Sequence, residues 1–160
     1  MKKILAIGFL IALASIFITF ILPKTDDEQV KQVAKSVMDN VIAKNYDQAS
    51  ELMFYFDGGT NEEPTITQEE GKRRWLKRIK DFDQSGVSLV GYEKLRVEMY
   101  DSVPISYVDL ILNNNGKEEV RQDVYIVFIK EGGEWKVHYF EDVNGSDDWE
   151  LALSGYVPFE

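Results

Sequence analysis

The sequence predicts an α+β fold: an N-terminal transmembrane helix, then three helices packed on a curved four-stranded antiparallel sheet. Three observations predict it. Residues 4–22 are apolar and carry no charge. Between residues 26 and 83 the apolar positions recur with the 3.6-residue period of a helix. After Gly86 the period drops to 2, in four runs divided by turn signals. Helices followed by strands, rather than alternating with them, indicate α+β.

The leader comes first. Ile4 to Leu22 is 19 residues long, interrupted only by Ser15 and Thr19. A helix of that length spans about 28 Å, close to the thickness of a bilayer's hydrocarbon core. Lys2 and Lys3 precede it, and Pro23, Asp26, Asp27 and Glu28 follow. The positive-inside rule then puts the N-terminus in the cytoplasm and the domain outside. A cleaved signal peptide, releasing a secreted domain, is the alternative. Ala12-Leu13-Ala14 has the small-x-small pattern, but the apolar run continues to Leu22 beyond it. The sequence divides into a leader (1–23), a domain (24–142) and a C-terminal tail (143–160) apolar enough to pack on the domain.

Within the domain, Thr25-Asp26-Asp27-Glu28 matches a capping box, and Val30, Val33, Ala34, Val37, Met38, Val41 and Ile42 make one stripe of a helix over 26–44. Asn45 is a candidate left-handed cap. A short second helix begins near Asp47, with Tyr46, Ala49, Leu52 and Met53 on one face. Residues 57–64 read as a polar loop. Thr67-Gln68-Glu69-Glu70 opens a third helix over 67–83, striped by Trp75, Leu76, Ile79 and Phe82, with Gly71 a mild propensity cost. Strands follow from Val87 to Met99, with a bulge at Gly91, and over 105–112, 118–130 and 135–142. Asn113-Asn114-Asn115-Gly116 and Glu131-Gly132-Gly133-Glu134 turn the chain between them. Val124–Ile129 is apolar at every position, as in a central strand covered on both faces.

Composition removes several functions. There is no cysteine, hence no disulfide, thiolate metal site, cysteine nucleophile or lipidated cysteine. The formal net charge is −10, and with Lys2 and Lys3 in the leader the rest of the chain carries −12. Phosphate repels a domain that acidic, so nucleic acid is not expected as a partner. No phosphate loop, nucleophile elbow or paired-histidine motif is present, and no cofactor or metal is expected.

Two segments carry a family resemblance. In Val33–Met53 a first helix ends in Lys-Asn-Tyr-Asp and re-enters a helix. In Tyr125–Tyr139 a hairpin turns at Gly-Gly with Trp135-Lys136-Val137 beyond. In these and in element order over 26–142 the chain resembles the nuclear transport factor 2-like superfamily, the cystatin-like α+β cone shared with ketosteroid isomerases. The resemblance implies a cone with an internal pocket, here lined by Tyr46, Trp75, Phe128, Trp135 and Tyr139. It also implies a sheet face used for dimers, here around Val124–Ile129. Membrane-anchored relatives are implied among uncharacterised cell-envelope proteins, penicillin-binding proteins and conjugative secretion machines.

As a catalytic candidate His138, the only histidine, has no second histidine for a metal pair, and it reads as a sheet-face residue. Asp39, Asp47, Asp57 and Tyr46 are the cavity candidates the resemblance offers. Asp39 reads as solvated and Asp47 as an N-cap, and none matches a catalytic motif, so an enzyme is not expected. Residues 141–150 fail the calcium-loop spacing, because Gly145 falls at the fourth position from Asp142 rather than the sixth. The most informative cluster is Lys72, Arg73, Arg74, Lys77, Arg78 and Lys80, six of the 16 basic residues beyond the leader. It reads as a solvated helix face or as a docking face for an anionic lipid, polymer or protein partner. The function expected from the sequence is a membrane-tethered extracytoplasmic binding or assembly domain. The alternatives are a small-molecule cone pocket and a structural part of an envelope complex.

Overall fold

The computed structural model describes residues 25–59, 63–101, 103–142 and 148–158. The predicted span, 4–22, lies outside them, as do residues 143–147 and Phe159 of the tail. Among the described residues no helix is long and apolar enough to cross a membrane.

The elements run α1 (Asp26–Ile42), α2 (Tyr46–Ser50), α3 (Gln68–Gln84), β1 (Val87–Tyr100), β2 (Val103–Asn114), β3 (Lys117–Glu131), β4 (Glu134–Glu141) and α4 (Asp148–Leu153). The strands form one antiparallel meander in the order β1-β2-β3-β4. The fold is α+β, with a fourth helix in the tail that the sequence reading lacked.

Helix α1 supplies the floor of the core. Val30, Ala34, Val37, Met38 and Val41 recur along one face and are all buried. That face packs on β1, β2 and β4, and α2 bridges α1 to α3. The acidic first turn suits the positive end of the helix dipole. The expected capping box does not form there. Thr25 occupies the N-cap position, but its side chain accepts no capping bond. The box at α3 forms by half: Thr67 Oγ1 accepts from the Glu70 amide at 3.2 Å, while the Glu70 carboxylate turns to Arg73 and Arg74 instead.

Several local expectations change between α1 and α3. The left-handed residue after α1 is Lys44 (φ 59°), not Asn45, which takes the N-cap position of α2. Asp47 therefore lies inside the first turn and is not the cap. Helix α2 stops at Ser50. Met53 leaves it to make a parallel bridge to Val137, extending the sheet edge beyond β4. Asp57 is not a loop carboxylate in solvent. It is buried, accepts from the Thr65 amide at 2.8 Å and from its hydroxyl, and those bonds hold it below the usual carboxylate range.

The sheet follows its predicted turns, and Gly91 does mark a register shift. A second shift falls between Glu93 and Arg96, where Lys94 has φ 54°. Met99, near the end of β1, is exposed. Strand β3 is central, with Val124, Ile126 and Phe128 in the core. Its second face is covered differently from expectation: Tyr125, Val127 and Ile129 are half-buried, and the rings of Tyr107, Tyr125 and Tyr139 tile across β2, β3 and β4.

Gly71 corrects the propensity argument. It is buried in α3, and a Cβ there would overlap the Cβ of Tyr55, a fully buried side chain. Gly71→Ala should destabilise the domain by about 2 kcal/mol through overpacking, where helix propensity alone favours alanine. Urea unfolding of the two proteins checks the sign.

Candidate functional site

The tail is a built part of the domain. Trp149, Ala152, Leu153 and Val157 are buried, and Trp149 stacks on Phe82 of α3 with ring centroids 6.0 Å apart. Beyond α4 the backbone becomes extended. The Gly155 amide donates to His138 O, the Phe56 amide to Gly155 O, and the Val157 amide to Phe56 O, at 2.8–3.1 Å. Residues 154–157 are thus laced between β4 and the segment 54–56. Only glycine fits at 155, because a Cβ would overlap the Phe54 carbonyl.

Arg78 fastens this arrangement. Its Nη1 donates to Tyr156 O at 2.5 Å and its Nη2 to Ser154 O at 2.8 Å. Burial lowers its pKa to about 10, which leaves it charged at neutral pH. One planar guanidinium reaching two carbonyls is a geometry that lysine lacks.

The six basic residues of α3 therefore do not form one solvated face. Arg78 is turned inward to the tail. Arg74 is partly buried, donates to Glu70 at 2.7 Å, and reaches Pro158 O at 3.4 Å. Arg73 donates twice to the same carboxylate, at 2.6 and 2.9 Å. These guanidinium hydrogen bonds push Glu70 down to about 2. Lys72 pairs with Glu51, and Lys77 with Asp81 at 3.1 Å. Lys80 is exposed.

Between α3 and the tail runs an open groove of about 470 Å³. Arg73 and Lys77 stand exposed on its rim, Arg74 and Arg78 line its inner side with Phe82, and Val157 and Pro158 form the opposite wall. Asp81 is the one acidic residue of the lining. The apolar residues of the tail hint in the sequence that it packs. Its place as the wall of a basic groove has no sequence signal, because the partners lie 76 and more positions away.

Of the residues expected to line a cone pocket, Tyr46, Trp75 and Phe128 lie in one hydrophobic core cluster and Trp135 packs against it. Tyr46, Trp75 and Phe128 are core residues, and Trp75 is fully buried. Tyr46, its pKa raised by burial to about 12, serves packing. Trp135 lies half-buried against α1, its indole N–H donating to Asp26 at 2.9 Å. Tyr139 is on the opposite face of the sheet, against Tyr125. Met38, Met53, Tyr55, Trp75, Leu110 and Phe140 are among the largest fully buried side chains.

Asp39 is exposed and accepts from the Tyr92 hydroxyl at 2.8 Å. His138 sits at the register shift opposite Val127/Phe128 and is buried. Phe54, Phe56 and Tyr139 surround its ring, with centroids at 5.6, 4.2 and 5.2 Å. Among the described residues no three carboxylates or histidines gather where they could hold one metal ion.

No protein-family model matches the chain, and neither does any curated protein. A solved structure of a protein from Catenulispora acidiphila is similar to it with a TM-score of 0.46 at 15% identity. The match covers 73% of this chain and 91% of that one.

Two outcomes follow from this geometry. Arg78→Met should strand the Ser154 and Tyr156 carbonyls and cost about 3 kcal/mol. Limited proteolysis should then cut the tail first, and Arg78→Lys should not restore protection. Burial holds His138 below its ordinary 6.5, so the folded imidazole stays neutral where the unfolded one takes up a proton. Stability should be full above about pH 6.5 and should fall as pH drops through that value toward the folded pKa. Urea midpoints at pH 7.5 and 5.5 should differ, and His138→Phe should flatten the difference.

Proposed function

We propose that this protein is a single-pass, membrane-tethered binding module of the nuclear transport factor 2-like superfamily. Its domain stands outside the cytoplasm and docks a carboxylate-rich segment of a partner protein along the groove between α3 and the tail. The observation that carries this reading is the groove itself. Four basic side chains face it in a domain that is otherwise strongly acidic.

Electrostatics favours an acidic ligand at this place alone. Long-range repulsion keeps anions from the rest of the surface, and the groove is the opening in that field. The Lys77–Asp81 pair at the rim is exposed, and such pairs contribute about 0–1 kcal/mol. An incoming carboxylate therefore exchanges with Asp81 at little cost. Val157, Pro158 and Phe82 add apolar contact beside the charges.

Position argues for a protein over lipid headgroups. Lys44 bonds Asp83 at 2.7 Å, so the C-terminal ends of α1 and α3 lie together. Helix α1 is 17 residues long, about 25 Å, and its other end follows the leader. The groove runs along the later turns of α3, away from the leader's end. The membership, the anchor and the orientation rest on the residues and element order given above. The burial of Tyr46, Trp75 and Phe128 in one core cluster supports a binding module over a cone-pocket enzyme or small-molecule carrier.

The charge-reversed double variant Arg73→Glu/Lys77→Glu spares Arg78 and should leave the thermal midpoint close to that of the parent. In nanodiscs holding the full chain, its affinity for a fluorescent glutamate-rich peptide should fall tenfold or more, about 1.4 kcal/mol. Binding to the parent should weaken with added salt. Equal affinity of the two proteins would sink the proposal. Binding of acidic polysaccharide in place of the peptide would redirect it.

A further inference from the structure

The first helix and the β1–β2 hairpin meet the same end of the domain. In the antiparallel meander β1 and β3 run toward one end, where the β1–β2 tip and the β3–β4 turn lie. Helix α1 begins there as well, since Asp26 accepts from both Lys130 and Trp135, a cross-strand pair beside that turn. The register fixes the level of the tip. Ile105 pairs with Val127, so Val103 continues the same register to the height of Ile129, next to Lys130. Tip and helix start are thus about one residue rise apart along the strands and a few strand spacings of about 4.8 Å apart across them.

Flanking the exposed Asp101 of that tip, the strand ends carry uncovered apolar side chains. Met99 is 52% exposed, Tyr100 71% and Val103 47%. They are three of the five strongly exposed large hydrophobic residues among those described; the others, Val90 and Val120, lie toward the opposite end. Met99 pairs with Pro104 and Tyr100 with Val103, so the side chains crowd one short stretch of hairpin. The apolar run of the leader closes at Leu22, and Pro23 is three residues before Asp26. Three residues span at most about 11 Å even when fully extended. A helix start held that close to a bilayer brings the hairpin tip to the bilayer surface too.

We infer that the β1–β2 tip is a second membrane contact, inserting Met99, Tyr100 and Val103 into the interfacial layer and fixing the domain's tilt on its anchor. Tyrosine is favoured at that depth, where its ring meets acyl chains and its hydroxyl meets water. The contact is apolar, not electrostatic. The surrounding end carries Asp26, Asp27, Glu28, Asp101, Glu131 and Glu134 against Lys130 and Lys136, which pair with Asp26 and Glu131, so its net charge is negative and anionic headgroups are repelled. The occupant is therefore a zwitterionic lipid surface, and high salt leaves the contact intact. This inference rests on the membrane anchor proposed above.

The absence of native cysteine makes a labelling test clean. Tyr100→Cys at the tip and Glu118→Cys at the far end of the sheet are each spin-labelled in the full-length chain, in phosphatidylcholine vesicles. At position 100 collisions with oxygen should exceed those with a water-soluble nickel complex, and at position 118 the reverse should hold, at low and high salt alike. Equal nickel access at both positions, in protein that stays with the vesicles through an alkaline wash, overturns the tip contact and leaves the anchor standing. Protein released by the wash overturns the anchor and the tip contact together. Burial of position 100 in native membranes only, and not in pure lipid, overturns the lipid contact in favour of a protein neighbour.

Discussion

One half-buried cation, Arg78, organises the half of the molecule in which the basic groove lies. Arg78 lies on a helix whose Arg73, Lys77 and Lys80 are exposed, yet its guanidinium closes on two tail carbonyls. A buried charge is tolerated only where its donors find acceptors, and extended backbone supplies carbonyls at the required spacing. The tail is thereby fixed in register between β4 and residues 54–56. Without it, Phe82 and Trp149 would lose their stacking partner and the groove would have no outer wall.

The same constraint separates the ends of the domain by chemistry. One end gathers the start of α1, two strand turns, acidic side chains and an apolar hairpin tip. The flank along the later part of α3 gathers the basic groove. The core between them is continuous and densely filled, from Met38 and Trp75 to Leu110 and Phe140. Interiors packed in this way deform little, so the two surfaces hold a fixed relation to each other. The tether proposed above would then set the height and direction in which the groove is presented.

Much of the scaffold was legible because its causes are local. The apolar stripe of α1, the change of period after Gly86, and the Asn-Gly and Gly-Gly turns each depend on neighbours within a few residues. The candidate site was legible only as a cluster of charges. Arg73 and Lys77 kept the exposure expected of them, while Arg78 left the set because its acceptors lie 76 and 78 positions along the chain. Gly71 read as a weak helix residue until Tyr55 was seen against it. His138 read as an ordinary strand position, and the irregular pairing opposite Val127 and Phe128 is what turned it into an aromatic enclosure. Of the expected pocket residues, Tyr46, Trp75 and Phe128 share the core with Trp135 against it, while Tyr139 lies on the other face of the sheet.

By itself the sequence determined the order and period of the three main-domain helices and four strands, the sign of the net charge, the absence of thiol chemistry and the apolar run at 4–22. These follow from residue type and short-range spacing. Tertiary structure alone decided which charges remain available, which interior is filled, and which apolar side chains are left uncovered at the hairpin tip. Those outcomes depend on contacts between distant segments. Burial is a property of the assembled neighbours and not of the residue that undergoes it.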